Sequence, residues 1–240
     1  MAIYNPDDAK IEGLRLSIDS AGANIFCTPG NAYLPGTYSM LNQTTLSTPV
    51  PTMTSAWIFM YLGVDSSSSP ILIASTIAPD LAYYGTARTM TGDLSKRFLG
   101  SLYVTASGNI AAFLHSQPGD RANRVDFTPV GGASLSTANL LTLGVDTTAK
   151  NLPASSLVPP VCRVMYCLIQ NTSVVATAYL STPDYGTVSA TNYLRSIPPG
   201  LGGEYQILLN GNQQLSYVLA GGVITTGGLN IKVCGYLFDR

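Results

Sequence analysis

Charge is scarce in this chain. Asp, Glu, Lys and Arg make up 10% of its 240 residues, where ordinary globular chains carry about 25%. A surface so thin in charge does little to keep copies apart. Interface cores are depleted in charge in the same way, so the shortage points to a surface covered by copies of the chain or by partners. The 12 basic residues are scattered and offset by 13 acidic ones, for a formal charge of −1. Nucleic-acid binding needs clustered Lys and Arg to neutralise phosphates, so no nucleic-acid partner is expected.

The residues of catalysis and metal binding are equally sparse. His115 is the single histidine, and a Ser-His-Asp triad must use it. No G-x-S-x-G elbow surrounds any serine, and His115 reads as an exposed loop residue. No two acids are marked as a glycosidase pair. The four cysteines, Cys27, Cys162, Cys167 and Cys234, form no C-x-x-C pair, so no zinc site is expected. Cys162 and Cys167 fall on opposite faces of a strand. All four read as reduced packing thiols, with a Cys162–Cys234 or Cys167–Cys234 bridge as the alternative. The Gly-Gly pairs at 131–132, 202–203, 221–222 and 227–228 lack a following helix and cradle no phosphate. No cofactor is expected, and the chain does not read as an enzyme.

Long apolar runs are missing too. The longest candidate, Val161 to Ile169, is interrupted by Arg163 and falls well short of the roughly 18–20 residues of a membrane span. No membrane insertion is expected. The start, MAIYNPDDAKIEG, is polar and acidic where a secretory signal is basic and then apolar. The triplets Asn42-Gln43-Thr44 and Asn171-Thr172-Ser173 therefore read as chance matches to the glycosylation signal.

Helical periodicity is almost absent, and strand signals run throughout. Candidate strands cover 13–18, 24–28, 56–62, 71–76, 98–105, 109–114, 161–170, 173–180, 204–209, 214–220 and 229–237. An all-β fold follows, read as two small β-sandwich or β-barrel domains, which the resemblance given below makes jelly-roll-like. An N-terminal domain spans 13–115 and a C-terminal one 161–240. An irregular linker region covers 116–160, which ends in the double proline 159–160. Residues 1–12 read as an attachment arm, since termini stay mobile unless docked. An Asn210-Gly211 turn joins two of the strands. Strand 161–169 is apolar on both faces, so both are expected to be covered.

Two features remain as candidate contacts. Trp57, Phe59 and Tyr61 alternate on one strand face and read as core, whereas Tyr83 and Tyr84 follow Pro79-Asp80 in a loop and are better placed to meet a ligand. Lys96 and Arg97 stand together at the start of an apolar strand.

The stretch YYGTARTMTGDLSKRFLGSLYVTASGNI (83–110) resembles a segment of tailed-bacteriophage and prophage β-rich virion proteins. The matching residues are the basic pair Lys96-Arg97, then Phe98, Leu99, Gly100 and Ser101. GLRLS (13–17), IFCTPGNAYLPG (25–36) and WIFMYLG (57–63) fit the same pattern, and the C-terminal strands resemble the jelly-roll ends of phage fibre and decoration proteins. The likeness spans roughly 11–110. The interval from Gly63 to Lys96 is short for the pattern, and a tryptophan-bearing strand common there is missing.

The resemblance implies a virion structural protein located on the particle, usually a homotrimer: a tail or head fibre, spike or collar element contacting capsid, portal or tail proteins. A capsid decoration protein and a lectin-like module for host attachment through surface glycan are the alternatives. Lys96 and Arg97 are then a strand-entry rim that pairs with Asp93 or with carboxylates of a neighbouring subunit, and Arg88 joins them. The sharper alternative is a positive site for a host-surface anion.

Overall fold

β-Strands take up most of the apolar stretches. The computed structural model describes residues 11–36, 39–85, 87–115, 124–127 and 138–238. By its contacts the chain divides into two compact units, Met1–Leu135 with Phe238–Arg240, and Ser136–Leu237.

The strands of the first unit are β1 (Ile11–Gly13), β2 (Leu16–Ile18), β3 (Asn24–Cys27), β4 (Gly30–Leu34), β5 (Ser39–Gln43), β6 (Leu46–Pro49), β7 (Ala56–Val64), β8 (Pro70–Ser75), β9 (Thr89–Met90), β10 (Asp93–Val104), β11 (Phe113–His115) and β12 (Arg124–Phe127). They form sheets ordered β1-β4-β5, β2-β3-β6 and β8-β7-β10-β9, and β11 pairs antiparallel with β12. The expected single strand over 13–18 is broken in two. Gly13 and Leu14 both have left-handed backbone, φ 69° and 52°, which no extended strand contains. Gly13 also pairs with Gly30 across β1 and β4. A Cβ on Gly30 would lie 2.0 Å from the Glu12 carbonyl oxygen, so this crossing has room only for glycine.

Strand β7 is covered on both faces because its even and odd residues are both apolar. Ile58, Met60 and Leu62 enter the main core with Ile25, Leu99 and Leu102. On the other face Phe59 and Tyr61 meet Phe98, with ring centroids 6.5 and 5.8 Å away. Phe59 and Tyr61 are buried, and Trp57 is half-buried against Tyr103. Leu99 is a bulge, for Phe98 faces Tyr61 and Gly100 faces Met60. The bulge lets Leu99 join the core while Phe98 holds the aromatic side.

The second unit holds β13 (Asn139–Gly144), β14 (Lys150–Pro153), β15 (Cys162–Asn171), β16 (Thr177–Ser181), β17 (Arg195–Ile197), β18 (Gly202–Leu208), β19 (Gln214–Ala220) and β20 (Leu229–Phe238, whose last residue belongs to the first unit). One sheet runs β14-β19-β16-β17; in the other β13 pairs β20, followed by β15 and β18. A 3₁₀ turn, Pro183–Tyr185, is capped by Thr182.

The expectation of irregular chain over 116–160 is corrected at β12, β13 and β14. The sequence of β14, KNLP, is polar and ends in proline, and the leucines of β13, NLLTLG, do not by themselves tell a strand from a turn. Pairing supplies what the sequence hides, as where Leu152 meets Leu215. The turn at Asn210 closes as expected, with Gln213 N–H donating to Asn210 O at 2.9 Å and Gln214 N–H to Asn210 Oδ1 at 2.7 Å. The strands it joins, β18 and β19, belong to different sheets. Strand β15 is not covered on both faces throughout: Tyr166 is buried, but Leu168 is 47% exposed.

Candidate functional site

Arg97 lies inside the protein, not on a rim. It is wholly buried, whereas Lys96 keeps about a third of its side chain exposed (32%). Burial is complete on both faces of β10 from Arg97 to Leu102, and Lys96 lies just outside that span. Arg97 Nη1 donates to Tyr83 Oη at 2.6 Å, and the guanidinium carbon lies 5.4 Å from the centroid of that ring. Burial pushes the Arg97 guanidinium down from its ordinary value, and the Tyr83 hydroxyl opposes that shift.

The loop that carries Tyr83 is tied to β9 and β10 along its length. Asp80 N–H donates to Thr89 O (2.9 Å), Tyr83 N–H to Ala87 O (2.9 Å) and Phe98 N–H to Arg88 O (3.0 Å). Arg88 Nη1 reaches back to Asp80 O at 3.1 Å. Tyr61 Oη donates to Ile77 O at 2.7 Å. Tyr83, Arg88 and Arg97 therefore act together as struts between the loop and the sheet. Tyr84 is half-buried, and its carbonyl accepts from Ala87 N–H.

Lys96 meets Asp93, with Nζ 2.9 Å from Oδ2. Ser95 donates to the other oxygen, Asp93 Oδ1, from its N–H (3.0 Å) and Oγ (2.5 Å). The Ser95 hydroxyl, then Lys96, holds the Asp93 carboxyl below its ordinary value. Its anionic partner leaves Lys96 little positive field for a host-surface anion. The five candidates thus divide: three brace a loop, one closes a local ion pair, and one is partly covered.

His115 is also corrected. It is 5% exposed, and its Nδ1 accepts the Leu16 N–H at 3.1 Å. That bond places the ring proton of the neutral imidazole on Nε2 and commits Nδ1 to the backbone. The ring packs on Phe238 at 5.6 Å. A strand end that closes on β2, rather than an exposed loop, explains the burial.

None of the four cysteines is in a disulfide; Cys27, Cys162 and Cys167 are buried and Cys234 is half-buried. Burial, then nearby Cys234 and Cys162, pushes the Cys167 thiol well up, which suppresses the reactive thiolate. Among the described residues no group of His, Cys, Asp and Glu is placed to hold a metal. Asn171 is fully buried. Its Nδ2 donates to Ala176 O (2.8 Å) and Ile197 O (2.9 Å), while Oδ1 accepts Ser173 N–H (3.1 Å). It is a knot between chain segments and offers no amide to a glycan.

The second unit presents surface features that the sequence did not single out. A cleft of about 90 Å³ opens beside Leu180, Leu194, Ile207 and Leu208, with Arg195 at its rim. Tyr193 packs on Tyr179 at 4.9 Å and is 45% exposed, and Tyr185 is 62% exposed. The tyrosines alternate with polar residues in a loop between β16 and β17, so periodicity carries no signal for them.

No protein-family model matches the chain, and no curated protein sequence is similar to it.

Proposed function

We propose that this chain is a structural component of a tailed-bacteriophage virion, an all-β element that assembles in several copies as a fibre, spike or collar. The trimer is the copy number that the resemblance at 83–110 implies. The observation that carries the reading is a surface short of charge that exposes large apolar side chains. Leu81 is 79% exposed, Val174 71% and Val223 85%, in a chain with 10% charged residues. A surface of this kind is stabilised when copies or partners cover it.

Capsid decoration fits the same observation, and particle position separates the two. Labelled antibody against the protein in electron micrographs of virions marks the head surface for decoration, and the collar or tail for a fibre. Absence from purified virions contradicts both. Deleting residues 1–12 is expected to leave a folded oligomer that no longer enters particles; normal incorporation contradicts the arm.

A glycan-binding module is the second reading. Exposed Tyr185 and Tyr193 favour it, because aromatic faces stack on sugar rings. It moves the contact away from Tyr83, whose hydroxyl serves Arg97. Replacing both exposed tyrosines with Ala is expected to abolish cell adsorption on this reading, and unchanged adsorption removes it. The reading includes no catalytic step, for His115 already serves the backbone of Leu16.

A further inference from the structure

Among the described residues, strand β18 is the last strand of its sheet and no strand pairs with its outer edge. Its register with β15 runs unbroken from Val164 opposite Leu208 to Gln170 opposite Gly202. Just beyond each end, Leu209 N–H donates to Arg163 O and Asn171 N–H to Leu201 O, both at 2.9 Å. Antiparallel strands alternate bonded and non-bonded pairs. Gly203, Tyr205 and Ile207 therefore bond to β15. The N–H and C=O groups of Gly202, Glu204, Gln206 and Leu208 turn outward, and these four residues are exposed.

Exposed edges normally carry a lysine, a proline or a bulge that blocks further pairing. None of the three interrupts β18, and Glu204 is its single charge.

We infer that β18 is a homotypic docking edge, which pairs antiparallel with β18 of a second copy about a two-fold axis beside Tyr205. This register places Gly202 opposite Leu208 and Glu204 opposite Gln206. It uses every outward N–H and C=O on both copies. The side chains agree with it. Each Glu204 carboxylate meets a Gln206 amide that donates to it, and no like charges stand directly opposite. Tyr205 meets its own equivalent at a non-bonded pair, where side chains approach most closely. Gly202 leaves space for the exposed Leu208 of the other copy. Moving the two-fold axis from Tyr205 to Gln206, a shift of two residues in register, sets Glu204 against Leu208 and strips the carboxylate of that donor. An unrelated extended peptide would satisfy the backbone but has no reason to match Glu204 and Gln206 in reciprocal positions.

The contact is independent of the virion reading. A two-fold pair cannot close a trimer, so a trimer uses another surface. The strand pair then joins two such assemblies.

The test uses the full chain. At a non-bonded antiparallel pair the Cα atoms lie about 4.5 Å apart, within disulfide range. Because Cys167 stands opposite Tyr205 in β15, the substitution is made with Cys167→Ser; Tyr205→Cys in that background is expected to give a covalent dimer when oxidised with diamide, beyond any formed by Cys167→Ser alone. Gln206→Cys, which faces its own equivalent only in the shifted register, is expected not to. A folded Tyr205→Cys that does not cross-link, or cross-linking of Gln206→Cys alone, overturns the inference. In parallel, Gln206→Pro removes an outward N–H that β15 does not use. It is expected to halve the mass measured by light scattering. An unchanged mass in the folded variant overturns the inference, and cross-linking decides the matter should that variant not fold.

Discussion

Arg97 shows how one residue was both legible and misread. The pair Lys96-Arg97 reads as a cationic rim when taken as a unit. The span buried on both faces begins at Arg97 and leaves Lys96 at its edge. The apolar run that follows was visible in the sequence; the partner, Tyr83, was not, because it arrives from a loop fourteen positions earlier. Tyr83→Phe removes a hydroxyl that accepts from a buried cation. A loss of about 1–3 kcal/mol is expected, read as a lower urea midpoint with unchanged slope. No change in midpoint would show that the strut carries no load. His115 has no such signal, since nothing in its neighbours announces an acceptor for Leu16. His115→Leu orphans that N–H, and a similar cost of about 1–3 kcal/mol is expected by the same measurement.

At the scale of elements, legibility followed self-sufficiency. Strand β19 was expected over 214–220 and occupies those residues, because its apolar content stands out without help. Strands β13 and β14 were missed because their stability comes from their neighbours. The β1–β2 break was missed because positive φ at Leu14 leaves no mark in composition. The bulge at Leu99 hid behind an ordinary apolar run, yet its consequence is specific. A Cβ on Gly100 would lie 3.0 Å from both Leu16 Cδ1 and Phe238 Cζ. Those neighbours are side-chain ends, so they can yield at a cost. Gly100→Ala is expected to destabilise by roughly 1–3 kcal/mol through overpacking, checked by thermal melting. An unaltered melting temperature would mean that the aromatic face is looser than its geometry indicates.

For the whole molecule, the all-β class was legible from strand signals and punctuation, while the grouping of strands into sheets was not. Three buried tyrosines, Tyr61, Tyr217 and Tyr236, have their hydroxyls pushed above the ordinary value, chiefly by burial; for Tyr217 the Asp146 carboxylate adds to it. The folded chain then holds protons that the unfolded chain releases. Stability from this source is intact below about pH 10, the ordinary tyrosine value, and falls as the pH rises beyond it. Absorbance titration should show these three of the 14 tyrosines ionising only as the protein unfolds. Smooth ionisation of all of them in the folded state would contradict the burial.

Assembly is the central claim at this scale, since both the scarcity of charge and the open edge of β18 point to it. The most direct measurement is the solution mass by light scattering behind size exclusion, across a dilution series. Six times the 25.2 kDa chain mass is expected if a three-fold contact and the β18 pair coexist. Three times that mass would support the trimer and contradict the edge pairing, and twice would do the reverse. A clean monomer at every concentration would contradict both.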